Sequence, residues 1–224
     1  MDKKQIFHLE IFSRIIQEDG SLLSAGLFMP FVERLHLVSY LARIVLEEVM
    51  QIDSRDKNID NVAVNISSAS LENDSFRIWI YSALKNVSEN TPRINFEVAE
   101  FGAVQNLDLV KEFSLVVKQY GHIVGLDHYG QSFTHLGYLK TLRPDYVKID
   151  RAYTGELKDK ESDSRFFVGS LCSVAHSLDI NVIAEGVETE EQQQQLQIMG
   201  CDLLQGYLFS RPVAADEFSV MLSN

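Results

Sequence analysis

What the chain has little of narrows the field first. Of its 224 residues only 20 are lysine or arginine, against 32 aspartate or glutamate, for a formal net charge of -12. Proteins that hold nucleic acid or anionic membranes do so by trading counterions for Lys and Arg contacts to phosphate. Without basic clusters the expectation is no DNA or RNA binding. A compact phosphate ester could still bind if divalent metal ions bridged it to carboxylates. Cysteine is also scarce. Cys172 and Cys201 are the only two, and isolated thiols on predicted core elements read as packing residues in a reducing compartment rather than a disulfide or zinc site. No apolar run approaches the roughly 18 residues of a membrane span, and the opening MDKKQIFHLEIF lacks a signal-peptide pattern. The expected location is the cytoplasm.

What is present is a rhythm. Short apolar segments end in polar residues: VAVN in Asn65, INFEVAE in Glu97 and Glu100, IVGLDH in Asp127 and His128, YVKID in Lys148 and Asp150, NVIAEGVE in Glu185 and Glu188, and the LLQ segment in Gln205. Between them lie amphipathic stretches of helical length around Tyr40 to Met50, Phe76 to Val87, Leu107 to Tyr120, Ser164 to Leu178 and Glu190 to Met199. In the last, the glutamine run reads as a solvated face. Strand, polar residue, helix is the repeat of a parallel α/β fold with right-handed crossovers. A chain of 224 residues with 46% hydrophobic content can build one barrel or one large doubly wound domain. Functional side chains at the carboxyl ends of several strands favour the (β/α) barrel. Seven candidate strands begin near Ile6, Val62, Ile94, Ile123, Tyr146, Asn181 and Leu203.

Each polar residue also has a plainer explanation when taken alone. Asn65 and Asp150 suit caps and turns, Glu188 would favour the positive end of the following helix, and Lys148 could snorkel from an apolar strand. His128 could be a structural hydrogen-bonding histidine, and Tyr40, Phe76 and Phe113 suit helix positions facing the core. Charged groups in a sheet interior cost several kcal/mol unless paired or bound, so their joint placement carries the inference.

In order along the chain, EIFSR (Glu10 to Arg14), FMPFVE, VNIS, FEVAE, LDHYG, YVKID, AEGVET and GCDLLQGYLFSRP (ending at Pro212) resemble the EAL domain family of cyclic di-GMP phosphodiesterases and their catalytically silent relatives. The resemblance implies a TIM-like barrel with Glu10, Asn65, Glu97, Asp127 and Asp150 toward metal, and Lys148, Glu185 and Gln205 as the catalytic set around the attacking water. It implies that Arg14, Glu188, Gln205 and Pro212 line the ligand side, with Glu188 or Glu100 bracing the loop after Asp127. The implied ligand is cyclic di-GMP, with Mg²⁺ or Mn²⁺ as the hard, oxygen-bound cofactor. A homodimer, a protein partner and attached GGDEF-like and sensory domains of an inner-membrane protein complete the picture. Residues 1–224 would form a single domain and a fragment of that larger signalling protein.

Departures from the family pattern shape the functional expectation. Active members carry two adjacent aspartates where this chain has Asp127 and His128, so one metal site is expected and the second is weakened. EIF replaces EAL, and Gln131 to Leu136 replaces a small Thr/Gly/Ser-rich loop. The His-Tyr-Gly turn is similar to LapD-type receptors. Only nine residues precede Glu10, so a first barrel strand is expected to be missing or modified. The leading expectation is a cyclic di-GMP receptor with a degenerate site, and the alternative is an active phosphodiesterase releasing linear pGpG.

Overall fold

A computed structural model describes residues 8–57, 59–131, 137–158 and 163–214. Seven strands form one parallel sheet in the order β1 (Leu9–Ile11), β4 (Asn61–Asn65), β5 (Arg93–Ala99), β6 (Ile123–Tyr129), β7 (Tyr146–Ile149), β8 (Asn181–Ala184) and β9 (Leu203–Leu204). Two further strands, β2 (Arg14–Ile16) and β3 (Leu22–Ser24), pair as an antiparallel hairpin outside that sheet. The main sheet has β1 and β9 at its edges, yet Gln205 beside β9 donates from Nε2 to Glu10 Oε2 on β1 at 2.6 Å. A sheet whose two edges touch has curled into a barrel, here bridged by side chains where backbone pairing is absent among the described residues.

The strands are apolar on both faces because helices cover the outside. Val62, Ile94, Phe96, Val98, Val124, Leu126 and Val182 have no exposed surface, the pattern of a parallel sheet buried on both sides. The covering helices Asp74–Lys85, Leu107–Gln119 and Ser164–His176 contribute Phe76, Ile80, Phe113, Val117, Val168 and Leu171 to that layer. Tyr40 departs from expectation at 65% exposed. The helix Val38–Val49 buries Ala42, Leu46 and Val49, which puts position 40 on its outer face.

The five helices read from the sequence and six of the seven strands start within two residues of the expected positions, while the ten-residue helix Ala25–Arg34 went unread. The exception is the strand expected near Ile6, which begins outside the described residues, and the observed strand there is Leu9–Ile11. The glutamine run also differs. Gln192 is buried, accepting from the Glu188 and Thr189 amides and donating to Thr154 O at 3.0 Å, while Thr189 caps the helix Glu190–Ile198 in return. That reciprocal cap satisfies otherwise orphaned amides, so one glutamine is a structural lock. The two thiols, isolated in sequence, lie 3.7 Å apart in the core as free cysteines.

Candidate functional site

The curl brings the carboxyl ends of β1, β4, β5, β6, β7, β8 and β9 to one rim, and each delivers a polar side chain. Lys148, in β7, is the hub. It has no exposed surface, and its Nζ donates to Glu10 Oε2 and Glu97 Oε2, each at 3.0 Å, lies 2.7 Å from Glu185 Oε1 and 4.0 Å from Asp127 Oδ1. It points inward rather than snorkelling. Asn65 Nδ2 donates to Glu10 Oε1 at 2.8 Å, and Tyr146 hydroxyl to Glu97 Oε1 at 2.7 Å. The ring of Tyr146 fits because position 125 on the neighbouring strand is glycine. A Cβ there would stand 2.3 Å from the ring.

Four carboxylates thus surround one ammonium, and their titration reflects it. Burial pushes Glu97 up to about 8 and Glu185 up to about 7, in each case against the pull of Lys148. Glu10 is held below the usual range: burial raises it, but the Lys148 charge and hydrogen bonds from Gln205, Lys148 and Asn65 outweigh that. Burial pulls Lys148 down, and the surrounding carboxylates, Glu97 foremost, lift it well above a free lysine. The donors on this rim are carboxylate and amide oxygens, and the buried negative charge exceeds what one lysine offsets. Hard oxygen donors with surplus anionic charge suit a divalent ion such as Mg²⁺ or Mn²⁺.

His128 and Asp150 form a second group beside the first. His128 adopts a left-handed backbone, φ 57, where β6 slips register between Leu126 and Tyr129. Bulges of this kind re-aim side chains near functional sites. The ring turns to Asp150, with Nδ1 2.6 Å from Asp150 Oδ2, and its Nε2 lies 3.6 Å from Asp127 Oδ2. Burial lowers the His128 pKa, and Asp127, Asp150 and Glu185 together raise it above the ordinary value. Asp150 also accepts from the Ala152 amide through Oδ1, capping the helix Arg151–Glu156. Both its oxygens are therefore engaged.

The remaining residues named from the sequence lie apart from this network. Arg14 is exposed on the β2–β3 hairpin, donating to Ser13 O and lying over Phe12. Glu188 is exposed and paired with Lys158 at 3.1 Å, and Pro212 lies exposed beyond β9. Glu100 is buried and accepts from the Tyr138 hydroxyl, just past the loop after Asp127. Positions 132–136 of that loop lie outside the described residues. Tyr146, the His128–Asp150 pair and the glycine at 125 escaped sequence reasoning. A tyrosine two residues before a strand lysine shares its face by the alternation rule, which is the signal that could have found Tyr146.

A sequence profile of the EAL domain matches residues 1–212. The bifunctional diguanylate cyclase/cyclic di-GMP phosphodiesterase MucR of Pseudomonas aeruginosa is 30% identical over 200 residues, covering 88% of this chain and 29% of that protein. The chain therefore spans under a third of that relative. The Vibrio cholerae LapD S helix-GGDEF-EAL structure without ligand superimposes with a TM-score of 0.84 at 31% identity, over 92% of this chain and 50% of that one. The PaMucR phosphodiesterase in complex with c-di-GMP gives a TM-score of 0.84 at 27% identity, over 95% of this chain and 87% of that one.

Proposed function

The chain belongs to the EAL domain family, and from that premise we propose that it binds cyclic di-GMP at the strand-end rim as a receptor whose hydrolytic site is impaired with Mg²⁺. The observation that carries this reading is position 128. Where active members place a second aspartate beside Asp127, this chain has an imidazole tied to Asp150. A neutral or protonated ring adds no negative charge for a second hard cation. Both a cyclic di-GMP-bound phosphodiesterase and LapD stand among the structural neighbours, and the LapD neighbour carries GGDEF and S-helix portions of the kind that could relay occupancy. Relay to a second copy or to attached sensory parts is included in the proposal.

The roles follow from the geometry. Glu10, Asn65, Glu97 and Asp127 are the residues that would hold a divalent ion. Bound there, such an ion supplies neutralisation of phosphate charge and a lowered pKa for water. Lys148 fixes the orientation of Glu10, Glu97 and Glu185 at once, and Tyr146 and Gln205 lock Glu97 and Glu10 from outside. Glu185 sits beside Lys148 with its pKa raised to about 7, which suits a group exchanging a proton with water near neutrality. Arg14, Glu188 and Pro212 would border the nucleotide from the rim's outer side.

A specific observation keeps an active phosphodiesterase as the second reading. All seven residues from Glu10 to Gln205 converge, with Lys148 fully buried among them. His128→Asp separates the two. Under the receptor reading the parent releases little linear pGpG with Mg²⁺ and the variant gains about tenfold or more, since tenfold requires only about 1.4 kcal/mol of barrier. A parent already turning over at enzymatic rates overturns the receptor assignment.

A further inference from the structure

We propose that Asp127, His128 and Glu185 form a divalent-ion site whose imidazole ligand selects a first-row transition ion, Zn²⁺ or Co²⁺ in kind, over Mg²⁺. The loss of the second aspartate would then change the cation at this position rather than abolish the site. The inference rests on the strand-end site of the proposed function, though not on the nucleotide.

One ligand atom from each of the three residues lies within 4.8 Å of the other two. The ring's orientation is fixed. Asp150 Oδ2, 2.6 Å from Nδ1, is a carboxylate oxygen and can only accept, so Nδ1 carries a proton. In the neutral ring Nε2 is then the lone-pair atom, and it faces Asp127 Oδ2 at 3.6 Å. That gap is too long for a hydrogen bond, whereas two ligands about 2.0–2.1 Å from one ion stand roughly 3 to 3.4 Å apart. Asp127 is nearly buried, its side chain only 9% exposed, and its Oδ1 accepts the His128 amide at 2.8 Å. Its Oδ2 and the ring Nε2 therefore face each other across a gap that a divalent ion would bridge. Glu185 brings one carboxylate oxygen into this set, and its Oε1 lies 2.7 Å from Lys148 Nζ, which holds the side chain in place.

Chemistry decides which ion. Metal-bound histidines characteristically donate their other ring N–H to a carboxylate, which fixes the tautomer and raises basicity, and Asp150 occupies that place. Mg²⁺ prefers an all-oxygen octahedron and sheds water reluctantly, while imidazole suits later first-row divalent ions such as Zn²⁺, Co²⁺ and Ni²⁺, which nitrogen-containing sites bind more tightly than they bind Mg²⁺. Two carboxylates and a neutral imidazole also balance a doubly charged ion. The backbone agrees with a dedicated purpose. His128 holds a left-handed conformation uncommon for non-glycine residues, at a bulge that turns its ring toward Asp127 and Asp150.

The test uses metal-free protein without nucleotide. Co²⁺ is titrated with the visible absorption followed for nitrogen ligation, and Zn²⁺ and Mg²⁺ are titrated by calorimetry, on the parent, His128→Ala, His128→Asp and Asp150→Asn. The parent should take up one Co²⁺ that His128→Ala does not, which separates this site from ions on the thiols or on Glu10 and Glu97. His128→Asp should lose about tenfold or more in Zn²⁺ affinity and gain in Mg²⁺ affinity. Asp150→Asn should keep the site but weaken it about 10- to 100-fold, acting through ring position. Near-ultraviolet circular dichroism and thermal unfolding establish that each variant is folded. If His128→Ala does not fold, the parent against His128→Asp still decides. Equal Co²⁺ spectra and Zn²⁺ affinities in those two, or a parent preferring Mg²⁺, overturn the inference. Cyclic di-GMP binding in EDTA on the same preparations keeps the outcomes separate: nucleotide without a transition ion sinks only this inference, and the ion without nucleotide sinks only the functional reading.

Discussion

Replacing Lys148 with methionine removes the cation at the centre of the rim while keeping most of its stem. The ammonium has no exposed surface and touches Glu10, Glu97 and Glu185 at 3.0, 3.0 and 2.7 Å. Removing one partner of a buried ion cluster typically costs about 3 to 5 kcal/mol, because the others are left uncompensated. The cost must depend on pH, and its sign follows from the carboxylates. Glu97 sits at about 8 in the folded chain, above its ordinary value, so the folded state holds its proton more tightly than the unfolded state. The stability this contributes is fully present below about pH 4.5 and is lost as pH rises through 8. Without Lys148 pulling them down, Glu97 and Glu185 rise further. The deficit of Lys148→Met should therefore be largest near pH 8.5 and shrink toward pH 5. In urea titrations with a slope of about 2 to 3 kcal/mol/M, the full cost moves the midpoint down by on the order of 1.5 M. A variant within about 1 kcal/mol of the parent at pH 8.5, or one whose deficit grows on acidification, would refute the account of Lys148 as buried counter-ion.

Three further outcomes are expected. His122 accepts the Ile94 amide through Nδ1 at 3.0 Å, and burial holds its pKa at about 4 against an ordinary 6.5. The unfolded chain therefore binds the proton first, so this stability is complete above pH 6.5 and declines by up to about 3 kcal/mol as pH falls to 4. Urea midpoints of His122→Asn should lack that part of the slope. Gly125→Ala should destabilise by about 2 kcal/mol or more, since its Cβ would meet the Tyr146 ring at 2.3 Å, whereas Tyr146→Phe, losing one hydrogen bond to Glu97, should cost about 1 to 2 kcal/mol, both read from urea midpoints. Arg14→Ala should weaken cyclic di-GMP binding about tenfold, or 1.4 kcal/mol, with metal uptake unchanged; unchanged affinity removes Arg14 from the ligand side.

Much of the fold was legible because the strands are buried on both faces and the helices repeat their apolar positions at helical spacing. Val62 to Asn65 and Ile123 to Asp127 read as runs ending in polar residues, and their ends proved to be the rim. The β2–β3 hairpin went unread although Asp19-Gly20, with Gly20 at φ 82, is a recognisable turn between apolar segments. The convergence of Glu10 with Gln205, 195 residues apart in sequence, depends on how far the sheet curls, which no local pattern encodes. Position 128 was legible as a substitution, but not its consequence. The register slip that hands its ring to Asp150 arises from pairing between β6 and β7, and the sequence marks neither partner for it. Asp150 matched two local readings, cap and site, and serves the cap directly while backing the ring of His128.

The central claim is that this rim holds cyclic di-GMP without consuming it. The most direct measurement is calorimetric titration of the whole chain with cyclic di-GMP in EDTA, with GTP and cyclic GMP as comparators, followed by chromatography of the recovered nucleotide after incubation with Mg²⁺. The account predicts saturable binding with a Kd below about 100 μM, clear preference over the comparators and intact ligand at the end. No binding at that concentration, or linear pGpG released at the roughly 1 to 10 per second of ordinary enzymes, would contradict it.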